Sequence, residues 1–206
     1  MSEDSGIQLG EQFMPTGELN LQAEKAATGL SELGVSQMDT VAILLRNDIP
    51  FLVTGVAAKL LGAFPVPINW HLAGPEVGFI LKDSSAKVLV IHDDLLQRVG
   101  AENVPDGVQI IVVKTSSFIG RWYGGAESDL PLPEGALAWE TLLESQSPWS
   151  DAPPFQTESI IYTSGTTGQP KGVRRERSTP EQMQAMMMGL AAPMGIAPGM
   201  RTVISA

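Results

Sequence analysis

Cysteine is missing from all 206 residues. That excludes a disulfide framework, a thiolate nucleophile and any cysteine metal site, and it leaves the redox compartment open. Histidine is nearly missing too. His71 and His92 are the only two, far apart and in no ligand-like spacing such as HExxH, so no protein-built metal site is expected. Basic residues are scarce, 13 Lys and Arg against 23 Asp and Glu for a formal net charge of -10. This balance argues against a nucleic-acid surface, because phosphate backbones need clustered cations. Long apolar runs are lacking as well. No stretch approaches a membrane span, and MSEDSGIQLGEQ has neither the basic start nor the apolar core of a secretory signal. A cytoplasmic location is the expectation.

What is present is a regular alternation. The segment 20–33 carries Leu21, Ala26, Leu30 and Leu33 at helical spacing and ends on Gly34. VAILL (41–45) reads as a buried strand, 49–63 as a helix with Pro50 in its first turn, and FPVPI (64–68) as a short edge or irregular strand because of its two prolines. A helix over 74–84 and the apolar strands KVLVI (87–91) and QIIVV (109–113) follow. Strand alternating with helix predicts an α/β fold, a parallel sheet flanked by helices. From Thr115 to Pro154 glycine, proline and serine dilute the pattern into a long surface excursion, with one short helix over 136–144. SIIYT (159–163) restores an apolar strand, and a helix over 180–191 and a strand over 202–206 are expected beyond it. The chain stops at that last strand without a cap or polar tail, which suggests a truncated chain.

The strand 159–163 runs into the densest chemistry of the chain, YTSGTTGQPKGV (162–173). Gly165, Gly168 and Gly172 permit positive φ and let N–H groups turn towards a ligand. Thr163, Ser164, Thr166 and Thr167 add donors suited to phosphate oxygens, and Lys171 adds a full positive charge. A flexible connector could be equally rich in Gly, Ser and Thr, but it has no reason to follow a buried strand and end in PKG. The P-loop GxxxxGK[ST] does not match, since Pro170 precedes Lys171 and Gly172 follows it, and GxGxxG fails on spacing. A P-loop kinase or NTPase is therefore disfavoured.

YTSGTTGQPKGV closely resembles the phosphate-loop signature of the adenylate-forming enzymes, the superfamily of acyl-CoA synthetases, luciferases and peptide-synthetase adenylation domains. Residues 38–72 and 74–91 resemble that family's opening strand–helix–strand framework, in the expected order. The resemblance runs from about Leu19 to Ala206. It implies a flexible N-terminus over 1–18 and, over 19–206, the first part of the large N-terminal AMP-binding domain of an acyl-CoA synthetase, incomplete at its C-terminus.

That family activates a carboxylate with ATP as an acyl-adenylate, releasing pyrophosphate, and then passes the acyl group to a thiol, usually coenzyme A. The resemblance implies that Thr163, Ser164, Gly165, Thr166, Thr167, Gly168 and Lys171 contact the nucleotide phosphates, with Lys171 as the catalytic cation and magnesium entering with ATP. A fatty acid or related carboxylic acid is the expected substrate. The family's adenine pocket, magnesium-binding acid, ribose aspartate, hinge and adenylation lysine fall downstream of this sequence. A chain lacking them is expected not to turn over alone, and a nucleotide-binding module or split subunit is the competing reading. Three further features carry less. Lys171, Arg174, Arg175 and Arg177 cluster within seven residues, where a solvated loop end is as good a reading as phosphate contact. INWHL (68–72) resembles a short motif of the acyl-CoA synthetase branch and is assigned packing and capping. The segment 183–195 belongs to a methionine-rich stretch that reads as core and, if uncovered, would promote self-association.

Overall fold

The computed structural model describes residues 5–123, 131–144, 146–153, 155–163 and 170–173, together with Ala185 and Gly189. Within the stretch expected to be frayed, the described residues begin at Ser5 and form a hairpin. β1 (Gly6–Leu9) and β2 (Gln12–Pro15) pair antiparallel around Gly10, which takes a φ of 59°, and Met14 is buried in the core. α1 (Thr16–Glu32) therefore begins four residues before the expected helix. It buries Leu19, Ala23, Ala26, Ala27 and Leu30, one stripe at helical period, and leaves Leu21 exposed.

β3 (Thr40–Leu44), α2 (Ile49–Leu60), β4 (Phe64–Pro67), α3 (Gly74–Asp83) and β5 (Ala86–His92) then follow the predicted alternation. α4 (Asp93–Val99) was not anticipated, and β6 (Gln109–Val113) was. The expected surface excursion holds α5 (Ser117–Tyr123), and the helix expected over 136–144 divides into β7 (Leu137–Ala138) and α6 (Trp139–Glu144).

Five strands form one parallel sheet in the order β4-β3-β5-β6-β7. Their side chains alternate between two cores. Val41, Ile43, Val88, Val90, Ile111 and Val113 face α1, α2 and α6. Ala42, Leu44, Leu89, Ile91 and Val112 face α3 and α4. Both faces are covered, which is why the strands read as unbroken apolar runs.

β4 occupies one edge, as its prolines demanded. Phe64 and Ile68 donate their N–H groups towards β3, to Asp39 and Ile43 carbonyls at 2.8 and 2.9 Å. Alternation then turns Pro65 and Pro67 to the open flank, where a missing N–H costs no ladder bond. The chain leaves β3 towards β4 and returns past it to β5, so connections diverge in opposite directions between β3 and β5. In open parallel sheets that divergence marks a crevice at the carboxyl ends of the strands.

Candidate functional site

The apolar segment that leads into the glycine loop does not enter the main sheet as a buried strand. Thr157 Oγ1 donates to the Ala63 carbonyl at 2.7 Å and the Ile160 N–H to the Pro65 carbonyl at 3.0 Å, so 157–160 is stitched to the outer flank of β4. Past Ile160 the chain leaves that edge. β8 (Ile161–Thr163) pairs antiparallel with β9 (Lys171–Val173), setting Ile161 against Val173, Tyr162 against Gly172 and Thr163 against Lys171.

This register decides which groups share a side. Directly opposed residues of an antiparallel pair project to the same face, and neighbours along a strand project to opposite faces. Thr163 and Lys171 therefore stand together on one side, and Tyr162 and Gly172 on the other. Both Thr163 and Lys171 are exposed. Of the expected phosphate contacts these two are described and brought together; Ser164, Gly165, Thr166, Thr167 and Gly168 lie outside the described residues. So do Arg174, Arg175, the strand 202–206 and, apart from the helical Ala185 and Gly189, the segments 180–191 and 183–195.

Gly172, credited with the freedom to take positive φ, does not use it here. Its reason is spatial. A Cβ placed there would lie 2.9 Å from Cζ and 3.1 Å from the hydroxyl oxygen of Tyr162, so the aromatic ring occupies the space a side chain would need. The Tyr162 hydroxyl in turn donates to Asp83 Oδ2 at 2.6 Å, at the end of α3. Burial, and then the neighbouring Asp83 carboxylate, push this phenol well above its ordinary pKa. Neither Tyr162 nor Asp83 was singled out from sequence, and 79 residues separate them.

A second polar constellation fills the divergence between β3 and β5. Arg46 is 3% exposed and forks onto Asp94, with Nη1 and Nη2 donating at 2.8 and 2.5 Å. Its backbone N–H donates to His92 Nδ1 at 3.2 Å. That bond makes Nδ1 the acceptor, so Nε2 carries the proton that His92 donates to Asp48 Oδ2 at 2.8 Å. Asp48 Oδ1 caps α2 by accepting from the Phe51 N–H. Thr115, beyond β6, places its hydroxyl 2.6 Å from Asp93 Oδ1 and 2.8 Å from Asp94 Oδ1. Burial raises the Asp94 carboxyl, but bonds from Arg46 and Thr115 and the Arg46 charge outweigh it and hold Asp94 below the usual carboxylate range.

The Arg46 guanidinium also lies 5.3 Å from the Trp70 ring and 5.8 Å from Tyr123. Trp70 of INWHL is thus a packing residue, with its carbonyl held by Arg98 and its neighbour Asn69 accepting from the His71 N–H. Apart from Arg46 Nε, which is buried without a hydrogen-bond partner, the cluster closes on itself. It braces the carboxyl ends of β3, β5 and β6 rather than presenting a reactive group.

Comparison with known proteins gives these features a context. Residues 11–190 match the family described as AMP-binding enzyme. The chain is 36% identical over 163 residues to the long-chain-fatty-acid–CoA ligase FadD13 of Mycobacterium tuberculosis, an alignment covering 78% of this chain and 29% of that protein. It is 32% identical over 175 residues to the indoleacetate–CoA ligase of Aromatoleum aromaticum, covering 82% of this chain and 31% of that one. The chain thus spans about a third or less of the length of these relatives. Among solved structures, the anthranilate CoA ligase AuaEII in complex with anthranoyl-AMP superposes with a TM-score of 0.70 at 23% identity, over 91% of this chain and 34% of that one. At that identity the likeness is one of fold.

Proposed function

The chain belongs to the AMP-binding enzyme family, and from that premise we propose that it carries the phosphate loop of an adenylate-forming acid–thiol ligase. Its substrates are MgATP, a carboxylic acid of the fatty or related class, and coenzyme A as acyl acceptor. Residues 19–206 act as the AMP-binding unit. The observation that carries this reading is the register of β8 and β9, which sets Thr163 beside Lys171 at the two ends of the glycine-rich segment.

In the first half-reaction the carboxylate oxygen attacks the α-phosphorus and the bond to the pyrophosphate oxygen breaks, so negative charge grows on the leaving group. Lys171, the hydroxyls of Thr163, Ser164, Thr166 and Thr167, and the backbone N–H groups at Gly165 and Gly168 hold the β and γ phosphates. This arrangement stabilises the departing charge without reorganising during reaction. Magnesium enters bound to ATP and adds charge neutralisation there.

The test is carboxylate-dependent ATP–pyrophosphate exchange by this chain, with Lys171→Ala as control. Exchange that falls about 100-fold in the variant, the scale on which losing one charge-stabilising donor acts, would support turnover by this chain itself. Nucleotide binding without exchange would favour a binding module that needs a partner for turnover. Failure to bind MgATP at all would overturn the reading of the loop.

A further inference from the structure

Tyr162 is not one of the loop residues expected to touch phosphate, yet among the described residues it joins β8 to the body of the protein at the point nearest the loop. The preceding attachments, through Thr157 and Ile160, reach only the edge of β4. Beyond Ile160, the Tyr162 hydroxyl reaches Asp83 on α3, and its ring lies across Gly172 on the returning strand. One side chain therefore contacts both strands of the pair and a helix of the sheet body. A ring lying over a glycine on the facing strand is a recognised way to pin register where glycine offers no side chain to pack.

We propose that Tyr162 is a positioning residue, which through Asp83 and Gly172 fixes the β8–β9 pair so that Thr163 and Lys171 are presented together to a nucleoside triphosphate. This rests on the nucleotide-loop reading above. The geometry supplies the mechanism. With Tyr162 held towards α3, strand alternation forces Thr163 to the opposite face, and the register brings Lys171 to that same face. A pair that could twist or slip would present Thr163 and Lys171 in the binding arrangement only part of the time, and apparent affinity would fall by that fraction. The phenol's titration lies above its ordinary range, so it remains a donor throughout neutral and moderately alkaline pH.

The test uses the whole chain and two readouts: the Kd for MgATP, and hydrogen exchange of the amides of 161–163 and 171–173 without nucleotide. Tyr162→Phe keeps the ring and removes the donor. It is expected to speed exchange at those amides and weaken MgATP binding about five-fold, the population factor of one lost hydrogen bond. Asp83→Ala should match it, and the double variant should be no worse than either single one. Asp83→Asn retains a carbonyl acceptor for the phenol and should bind nearly as the parent does, a rescue that generic loosening would not produce. Unchanged Kd in Tyr162→Phe, or fully additive losses in the double variant, would overturn the proposal. Unchanged amide exchange would overturn it whether or not nucleotide binds. If the parent chain fails to bind MgATP while exchange still accelerates, the loop reading falls and the Tyr162 contact is left as structural support only.

Discussion

The five-stranded sheet and the β8–β9 pair solve the problem of holding polar groups in opposite ways. At the carboxyl ends of β3, β5 and β6, Arg46, Asp48, His92, Asp93, Asp94 and Thr115 are bonded to one another beneath an aromatic cover. At β8–β9, Thr163 and Lys171 stand in solvent, and the pair is tied to the body from one side through Tyr162 and Asp83. Polar groups bonded to one another stiffen a structure, whereas exposed ones facing water remain available to a ligand. The difference separates a brace from a candidate binding element, although both are rich in the same side-chain types.

The sharpest way to break this comparison is Arg46→Ala. It leaves the Asp94 carboxylate without its bidentate cation, and the expected cost is about 3–5 kcal/mol of unfolding free energy by urea titration. Lys171→Ala, measured the same way, should change stability by less than about 0.5 kcal/mol. A large stability loss at Lys171, or none at Arg46, would erase the distinction. A smaller effect is expected at Gly29, inside α1. Alanine there gains about 1 kcal/mol of helix propensity, but its Cβ would lie 2.7 Å from Leu142 Cδ1 and 3.0 Å from the Leu142 carbonyl oxygen. Overpacking of that kind costs about 1–3 kcal/mol, so a net loss is expected, and a gain in thermal midpoint would show that α6 yields.

The smallest effect is a pH dependence. Asp94 is held below the ordinary carboxylate pKa in the fold, so its contribution is present at neutral pH and lost as pH falls below about 4 towards the lowered folded value. Asp94→Asn should flatten that acid limb of the urea midpoint. An unchanged limb would place the acid sensitivity elsewhere.

Much of the sheet was legible because β3, β5 and β6 are buried on both faces and appear as apolar runs between turn residues. The edge position of β4 was legible for a different reason, since only an open flank can accept Pro65 and Pro67. α4 was missed because HDDLLQRV begins with the last residue of a strand and two acids, and seven residues give little periodicity. The opening hairpin was missed through its short polar strands, although the Gly10–Glu11 spacing between them is a hairpin signal. Thr163 and Lys171 were singled out by the motif, but nothing in it pointed to the close approach at Gly172. Its neighbour is an aromatic ring on the facing strand, and long-range contacts of that kind leave no local pattern. The same holds for Tyr162 and Asp83.

The prolines of β4 have a consequence for association between molecules. A bare outer strand is a template on which a stray chain can polymerise. Here two of the four positions carry no donor, and the Pro65 acceptor is already engaged by Ile160. A second copy arriving edge-on would find almost nothing to pair with, so the same residues that let the loop-bearing segment dock also discourage fibre-like growth of the sheet.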